Sequence, residues 1–205
     1  VGTVISLQHH RLRRAQDGPR ARRVTCFFDL GDPGTYLAAE RVDRLSAPIA
    51  WRPATLPTRA RRPRAQAERR AAELRLPLVW PEVDGDTSPR AMRVAAYACE
   101  GDRGGAAFVL AASRLAFCGG FDLADPSVLA EAIAAAGLDF DAAWAAAADA
   151  RRDAPMREAG RHLAARGAVE LPVLQLGRTL FHGERRVPEV AGALRGGRIL
   201  ASRHA

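Results

Sequence analysis

One stretch constrains this chain more than any other: C-F-F-D-L-G-D-P-G-T-Y-L-A at residues 26–38. The run from Val24 to Leu30 is rich in apolar, aromatic and β-branched residues, which reads as a strand, and Gly31 breaks it. Asp32 then stands where a helix N-cap stands, with Pro33 at the first helical position. An Asp side chain can accept hydrogen bonds from the free amides of a first turn, and Pro has no amide hydrogen to leave unsatisfied there. A strand, a tight turn and a capped helix place residues 32–35 at a positive helix end, a position that suits an anion or a thiolate. No thiol is present in those four residues.

The rest of the chain extends this beginning. A helix is predicted over about 34–45, with Tyr36, Leu37, Val42 and Leu45 as its apolar positions and Ser46-Ala47-Pro48 as its stop. Residues 49–53 (I-A-W-R-P) read as a second short strand, so the first three elements form a βαβ unit with a parallel pair. A basic loop around residues 57–63, a polar helix over about 64–75 and a proline-rich crossing follow. Ala-rich helices are predicted over about 88–100, 104–118, 126–136, 139–150 and 155–166, with Gly at their ends as stop signals. Asp125-Pro126 repeats the Asp-Pro cap, so Asp32-Pro33 can be read as a cap and nothing more.

Residues 168–177 return to strand, Arg178 to Phe181 read as its antiparallel partner across a turn at Gly177-Arg178, and a last helix covers about 187–195. Pro172 cannot donate to a strand ladder and belongs at the strand's beginning, after a cis bond. The order is βαβ, a block of helices, then ββα, an α/β fold. Three parts are expected: a basic, disordered tail over 1–23, one domain over 24–195 with a helical insertion over about 64–152, and a C-terminal tail over 196–205.

Composition removes several function classes. No apolar run approaches the ~18 residues of a membrane span, and the first residues, with their basic positions after the apolar ones, do not read as a secretion signal. Three cysteines, Cys26, Cys99 and Cys118, without C-x-x-C spacing, fit buried thiols in a reducing cytoplasm rather than a disulfide framework or a zinc site. The net charge of +8 comes entirely from Arg among the basic residues, with no Lys and no Asn in the chain, as codon bias in a GC-rich genome would give. Residues 1–23 hold six Arg and one Asp, which leaves +3 for everything else. Nucleic acid is therefore not an expected partner, since basic patches alone supply only sequence-independent attraction.

In the order and spacing of its segments the chain resembles the thioredoxin-fold family that contains DsbA oxidoreductases, 2-hydroxychromene-2-carboxylate isomerases and kappa-class glutathione transferases. The resemblance runs over 24–195 and is carried by six segments. These are F-F-D-L-G-D-P-G-T-Y-L-A at 27–38, W-R-P at 51–53, W-P-E-V-D-G-D-T-S-P-R-A-M-R at 80–93, A-F-C-G-G-F-D-L-A-D-P-S-V-L at 116–129, E-L-P-V at 170–173 and L-F-H-G-E-R-R at 180–186. It implies a thioredoxin-like fold with an inserted all-helical subdomain, and the isomerase and kappa branch fits better than DsbA itself.

The resemblance also implies a site. DsbA-like members carry C-P-x-C at the start of the first helix, and the isomerase and kappa branch carries Ser before the Pro; here the aligned residues are Asp32-Pro33-Gly34-Thr35. Dithiol exchange needs an attacking thiolate, which Asp32 cannot supply, and Cys26 lies inside the strand, where it reads as a small core residue. Glutathione is the cofactor that the branch implies. Its γ-glutamyl ammonium would meet Arg185 where the branch has an acidic residue, and Glu184 could serve only if the turn shifts by one. The backbone of Leu171, before Pro172, keeps the capacity to pair with an extended peptide.

Two functions stay open on these residues. In the first, the protein is an isomerase- or transferase-like enzyme acting on a small organic acid or thiol conjugate. Asp32 would be a general acid or base coupled to Asp29, Thr35 or Tyr36 would polarise a carbonyl, and His182 would shuttle a proton. In the second, it is a non-catalytic binding module that holds a small molecule or peptide at the cis-Pro cleft, with Arg52, Arg59 and Arg185 supplying charge. A second copy of the chain is carried as a candidate partner. An interaction role for the Arg-rich tail is the third and weakest reading.

Overall fold

The computed structural model describes residues 23–42, 45, 47–58, 63–81 and 88–196. The basic tail over 1–22, Arg59, Arg61 and Arg62 of the basic loop, and the C-terminal residues 197–205 lie outside the described residues.

Among the described residues four strands form one sheet in the order β2-β1-β3-β4. β1 (Val24–Phe28) and β2 (Ile49–Pro53) run parallel, joined by helix α1 (Pro33–Val42). β3 (Val173–Leu176) pairs antiparallel with β1, and β4 (Thr179–His182) antiparallel with β3, as a βαβ unit followed by ββα requires. Between β2 and β3 the regular elements among the described residues are helical: α2 (Arg64–Leu74), α3 (Pro89–Ala98), α4 (Gly105–Phe117), α5 (Pro126–Ala135), α6 (Phe140–Ala148) and α7 (Asp153–Ala164). Helix α8 (Val187–Gly196) is the last element among the described residues.

Period-2 alternation along β1 splits the core in two. Val24, Cys26 and Phe28 join the larger cluster with Leu37 and Val42 of α1, Leu174 and Leu176 of β3, Val190 of α8 and the helical block through Val94, Phe108 and Ile133. Phe27 points to the other face, where Val173, Ala54, Leu56 and Leu163 of α7 cover it. Full burial of a side chain such as Phe28, 0 % exposed, contributes roughly 2–3 kcal/mol. Its ring meets Trp51 edge-on at 5.6 Å, which ties β1 to β2 within the larger core.

The contact of α7 with the chain after β2 depends on Gly160. A Cβ there would collide with the Thr55 carbonyl and stand 3.0 Å from the Leu56 nitrogen, while the Thr55 N–H donates to the Met156 carbonyl at 3.1 Å. Helix α3 is tied to α7 by a bidentate pair, Arg93 Nε and Nη2 each 2.8 Å from the Asp153 carboxylate.

Predicted and observed elements differ mainly at their ends. The strand predicted over 168–177 is ordered as strand only from Val173, because Pro172 has no N–H for the ladder and its own carbonyl instead accepts from the Gly183 N–H at 2.9 Å. The first helix is described over Pro33–Val42; Leu45, expected as its last apolar position, is not helical, and its N–H donates to the Val42 carbonyl at 2.8 Å.

Candidate functional site

The site expected from the sequence lies at the start of α1, and the structure brings its main parts together. The Leu171–Pro172 peptide is cis. Gly34 sits between the Asp32 side chain and that proline. A Cβ at position 34 would lie 3.0 Å from Asp32 Oδ1, 3.1 Å from Pro172 Cδ and 3.2 Å from the Leu171 carbonyl oxygen. The helix end and the loop before β3 can approach this closely only because residue 34 carries no side chain.

The surrounding side chains are held by hydrogen bonds within the fold. Asp32 is 2 % exposed, and its Oδ1 accepts from the Gly34 N–H at 2.8 Å, the geometry of an N-cap. Asp125, which begins α5, makes the same bond to the Ser127 N–H at 2.7 Å on the exposed surface. The two Asp-Pro motifs thus share one local role.

Thr35 is fully buried, donates its hydroxyl proton to the Asp29 carbonyl at 2.7 Å and accepts from the Asp29 N–H at 3.4 Å. That hydroxyl holds the strand end to the helix start and is not directed at a substrate carbonyl. Asp29 is 4 % exposed; its Oδ1 accepts from the Gly31 N–H at 2.8 Å, and its carbonyl also accepts from the Asp32 N–H at 3.1 Å. The two aspartates are linked through the backbone of one tight turn.

Tyr36, expected beside the cleft, is a core residue at 1 % exposure. Its hydroxyl donates to the Pro77 carbonyl at 2.8 Å and accepts from Cys118 Sγ at 3.0 Å, and its ring stacks on Phe117 at 6.1 Å. Burial, followed by the Cys118 contact, raises its pKa well beyond the usual phenol value, so it stays protonated. Sequence spacing could not show this, because Pro77 and Cys118 reach it from the helical block.

Glu184 departs furthest from expectation. Its side chain is 0 % exposed in the turn before α8 and is held by two arginines. Arg41 Nη1 stands 2.8 Å from Oε2, and Arg70 Nε stands 2.8 Å from Oε1. A carboxylate enclosed by two guanidiniums is committed to joining α1, α2 and this turn, and is not presented to a ligand's ammonium group. Arg185 next to it is exposed. Arg41 and Arg70 were not identified from the sequence. They lie 143 and 114 residues from Glu184, and no local pattern marks them.

His182 is half-buried at the end of β4, opposite Val173 and so one residue from Pro172. Burial pulls its pKa below the usual imidazole value; Glu170 opposes this, while Arg166 and Arg186 act in the same direction as burial. Its Nδ1 is buried and has no hydrogen-bond partner. Leu171 is 1 % exposed, and its carbonyl faces Gly34. Arg52 belongs elsewhere: it lines a cavity beside the β2 edge together with α3 and α7.

Cys26 is fully buried, and burial raises its pKa far above the thiol range, as suits a core residue. All three cysteines are free thiols. Among the described residues no group of three or more His, Cys, Asp or Glu side chains could hold a metal ion, and no helix is long and apolar enough to cross a membrane.

A strand leading to a helix mouth, a cis-Pro loop against that mouth, and a helical block between β2 and β3 define a thioredoxin-like protein of the DsbA type. The family comparison agrees: the chain belongs to the DSBA-like thioredoxin domain family, which matches residues 23–195. Among solved structures it is similar to 2-hydroxychromene-2-carboxylate isomerase, with 19% identity, a TM-score of 0.70, and coverage of 85% of this chain and 95% of that one. It is also similar to a probable DsbA oxidoreductase from Streptomyces coelicolor, with 21% identity, a TM-score of 0.66, and coverage of 89% and 94%. A third similar structure is the cytosolic disulfide reductase DsbM from Pseudomonas aeruginosa with GSH, with 19% identity, a TM-score of 0.60, and coverage of 85% and 98%. At these identities the likeness shows the fold. No curated protein matches the chain.

Proposed function

We propose that this protein is a thioredoxin-fold binding protein of the DsbA family in which an aspartate cap has replaced thiol or hydroxyl chemistry at the first helix. One observation carries the reading: Asp32, in the seat before Pro33, is 2 % exposed and bonded to the Gly34 N–H. A buried carboxylate bonded to the start of its own helix neither attacks sulfur nor stabilises a sulfur anion beside it. The enclosure of Glu184 by Arg41 and Arg70 supports the loss of glutathione binding as well, because the remaining side chain in that turn at position 185 is cationic.

A small molecule or peptide at the cis-Pro loop would meet exposed Val169 and the His182 ring. The catalytic alternative, an isomerase- or transferase-like enzyme, keeps one observation in its favour: the unpartnered Nδ1 of a His182 held toward its neutral form beside Pro172. We place the protein in a reducing cytoplasm, supported by its three free thiols, and a homodimer belongs to the same proposal.

Calorimetric titration with glutathione tests the reading, using the wild type and Arg185→Asp. No heat of binding is expected from the wild type, and binding that appears only in Arg185→Asp, which returns an acidic residue to that position, would show that Arg185 disables the site. Saturable binding by the wild type would return the protein to the glutathione-dependent branch and overturn the proposal.

A further inference from the structure

β4 is an outer strand of the sheet, and half of its backbone faces away from β3. The Gly183 N–H donates to the Pro172 carbonyl at 2.9 Å, so Gly183 faces inward. Antiparallel alternation then turns Thr179 and Phe181 toward β3, and Leu180 and His182 outward. The N–H and C=O groups of Leu180 and His182 have no hydrogen-bond partner among the described residues. We propose that this edge binds an extended acidic peptide, which adds to the sheet as a further strand beside β4. Those groups lie on the side of β4 away from Pro172, so the contact is separate from the cis-Pro loop and does not rest on what the helix mouth binds.

The occupant follows from the charges that flank the edge. Arg178 directly precedes β4 and Arg185 lies in the turn that follows it; both are exposed, and neither forms an ion pair among the described residues. Arg166, also exposed and without an ion pair, donates from Nη2 to the Arg178 carbonyl at 2.6 Å, which fixes a third guanidinium at the start of the strand. Arg166, Arg186 and Glu170 all act on the charge of His182, and Arg186 is paired with Glu189 at 2.6 Å. Four arginines stand against two glutamates, and three of the four arginines have no ion-pair partner.

Charges at a bare edge repel other basic edges. Two copies paired isologously through β4 would bring these arginines against one another. The chain's own ends carry the same sign: residues 1–22 hold five Arg and one Asp, and residues 197–205 hold two Arg and no acidic residue. An acidic strand turns that repulsion into attraction. Acids at both ends of a six-residue extended peptide stand about 17 Å apart at about 3.4 Å per residue, enough to reach past both ends of four-residue β4.

Fluorescence anisotropy of the full chain with fluorescein-labelled E-V-T-V-T-E tests the proposal. Saturable binding is expected, weaker by about five- to tenfold for Q-V-T-V-T-Q, as the loss of two exposed ion pairs gives. Arg178→Glu should weaken the acidic peptide by a similar factor. N-methylation of one alternate set of peptide amides should abolish binding and of the other set leave it unchanged, because an added strand turns only every second N–H toward β4. Leu180→Pro removes an outward N–H that the sheet does not use, a change that edge strands tolerate. It should keep the fold by circular dichroism and lose the peptide; if it does not fold, the two N-methylated peptides decide alone. No binding up to millimolar concentration, equal binding of the acidic and neutral peptides, or equal response to the two methylation patterns would each overturn the proposal. A dimer by sedimentation that becomes a monomer in Leu180→Pro would assign the edge to a second copy and overturn it as well. The glutathione titration reports on the helix mouth and the peptide titration on this edge, so either reading can fail while the other stands.

Discussion

Replacing Asp32 separates a carboxylate that serves the fold from one kept for chemistry. In Asp32→Ala the cap is lost, and the Gly34 N–H, paired at 2.8 Å in a buried turn, is left without that partner. Loss of an N-cap costs about 1 kcal/mol, and an orphaned buried donor costs about 1–3 kcal/mol. The two overlap, since they describe the same bond seen from each end, so a net loss of about 2 kcal/mol is expected. For a chain of this size that lowers the melting temperature by about 4–8 °C.

Asp32→Asn keeps an acceptor oxygen at the same place and caps about as well as Asp. It is expected to fall within about 0.5 kcal/mol of the wild type, the range of a neutral substitution. Urea unfolding followed by tryptophan fluorescence and far-ultraviolet circular dichroism measures both. The result that would refute the reasoning is a gain in stability of more than about 1 kcal/mol in either variant. A residue whose removal stabilises the fold is being held there at a cost, which is the mark of a functional group. Asp32 would then have to be restored as an acid or base.

Glu184→Ala is expected to cost about 3 kcal/mol, the lower end for breaking a buried pair, because Arg41 and Arg70 lose their shared, fully buried counter-ion while Arg70 keeps Glu73 at 2.8 Å. Exposed Arg185→Ala next to it should change stability by less than about 0.5 kcal/mol, and similar losses in the two variants would show that the buried cluster carries no special weight. For His182 the folded-state pKa is depressed, so below the unfolded-state value of about 6.5 the unfolded chain binds the proton more readily. Its contribution is complete above that value and is lost as pH falls through the folded pKa. Stability measured from pH 7.5 down to 5.5 should fall less steeply in His182→Gln than in the wild type, and parallel slopes would remove His182 from the account.

The local signals along the chain proved sufficient for the frame. Asp-Pro at 32–33 marked the start of α1, and the glycines after the helical runs marked several of their ends. The placement of Pro172 before a strand followed from its missing N–H alone. Hydrogen bonding within a turn or a helix spans a few residues, so its chemistry is written in adjacent letters. The same holds for Cys26, whose place inside an alternating apolar strand already made it a core residue.

What the side chains of the site do was a different matter. Thr35 and Tyr36 sit where a substrate-facing residue would sit in the chain order, yet one is bonded to the Asp29 backbone and the other to Pro77 and Cys118. Glu184 reads from the sequence as a ligand-binding group only if its turn shifts by one, whereas in the fold Arg41 and Arg70 close on it. The cleft beside β2 needs Trp51, Cys99 and Arg152 to meet, three residues with no sequence relation to one another. Sequence determined the strand, the cap and the proline, because those depend on each residue's own backbone preferences. Burial and charge pairing depend on which distant residues arrive at the same place, and only the folded chain decides that.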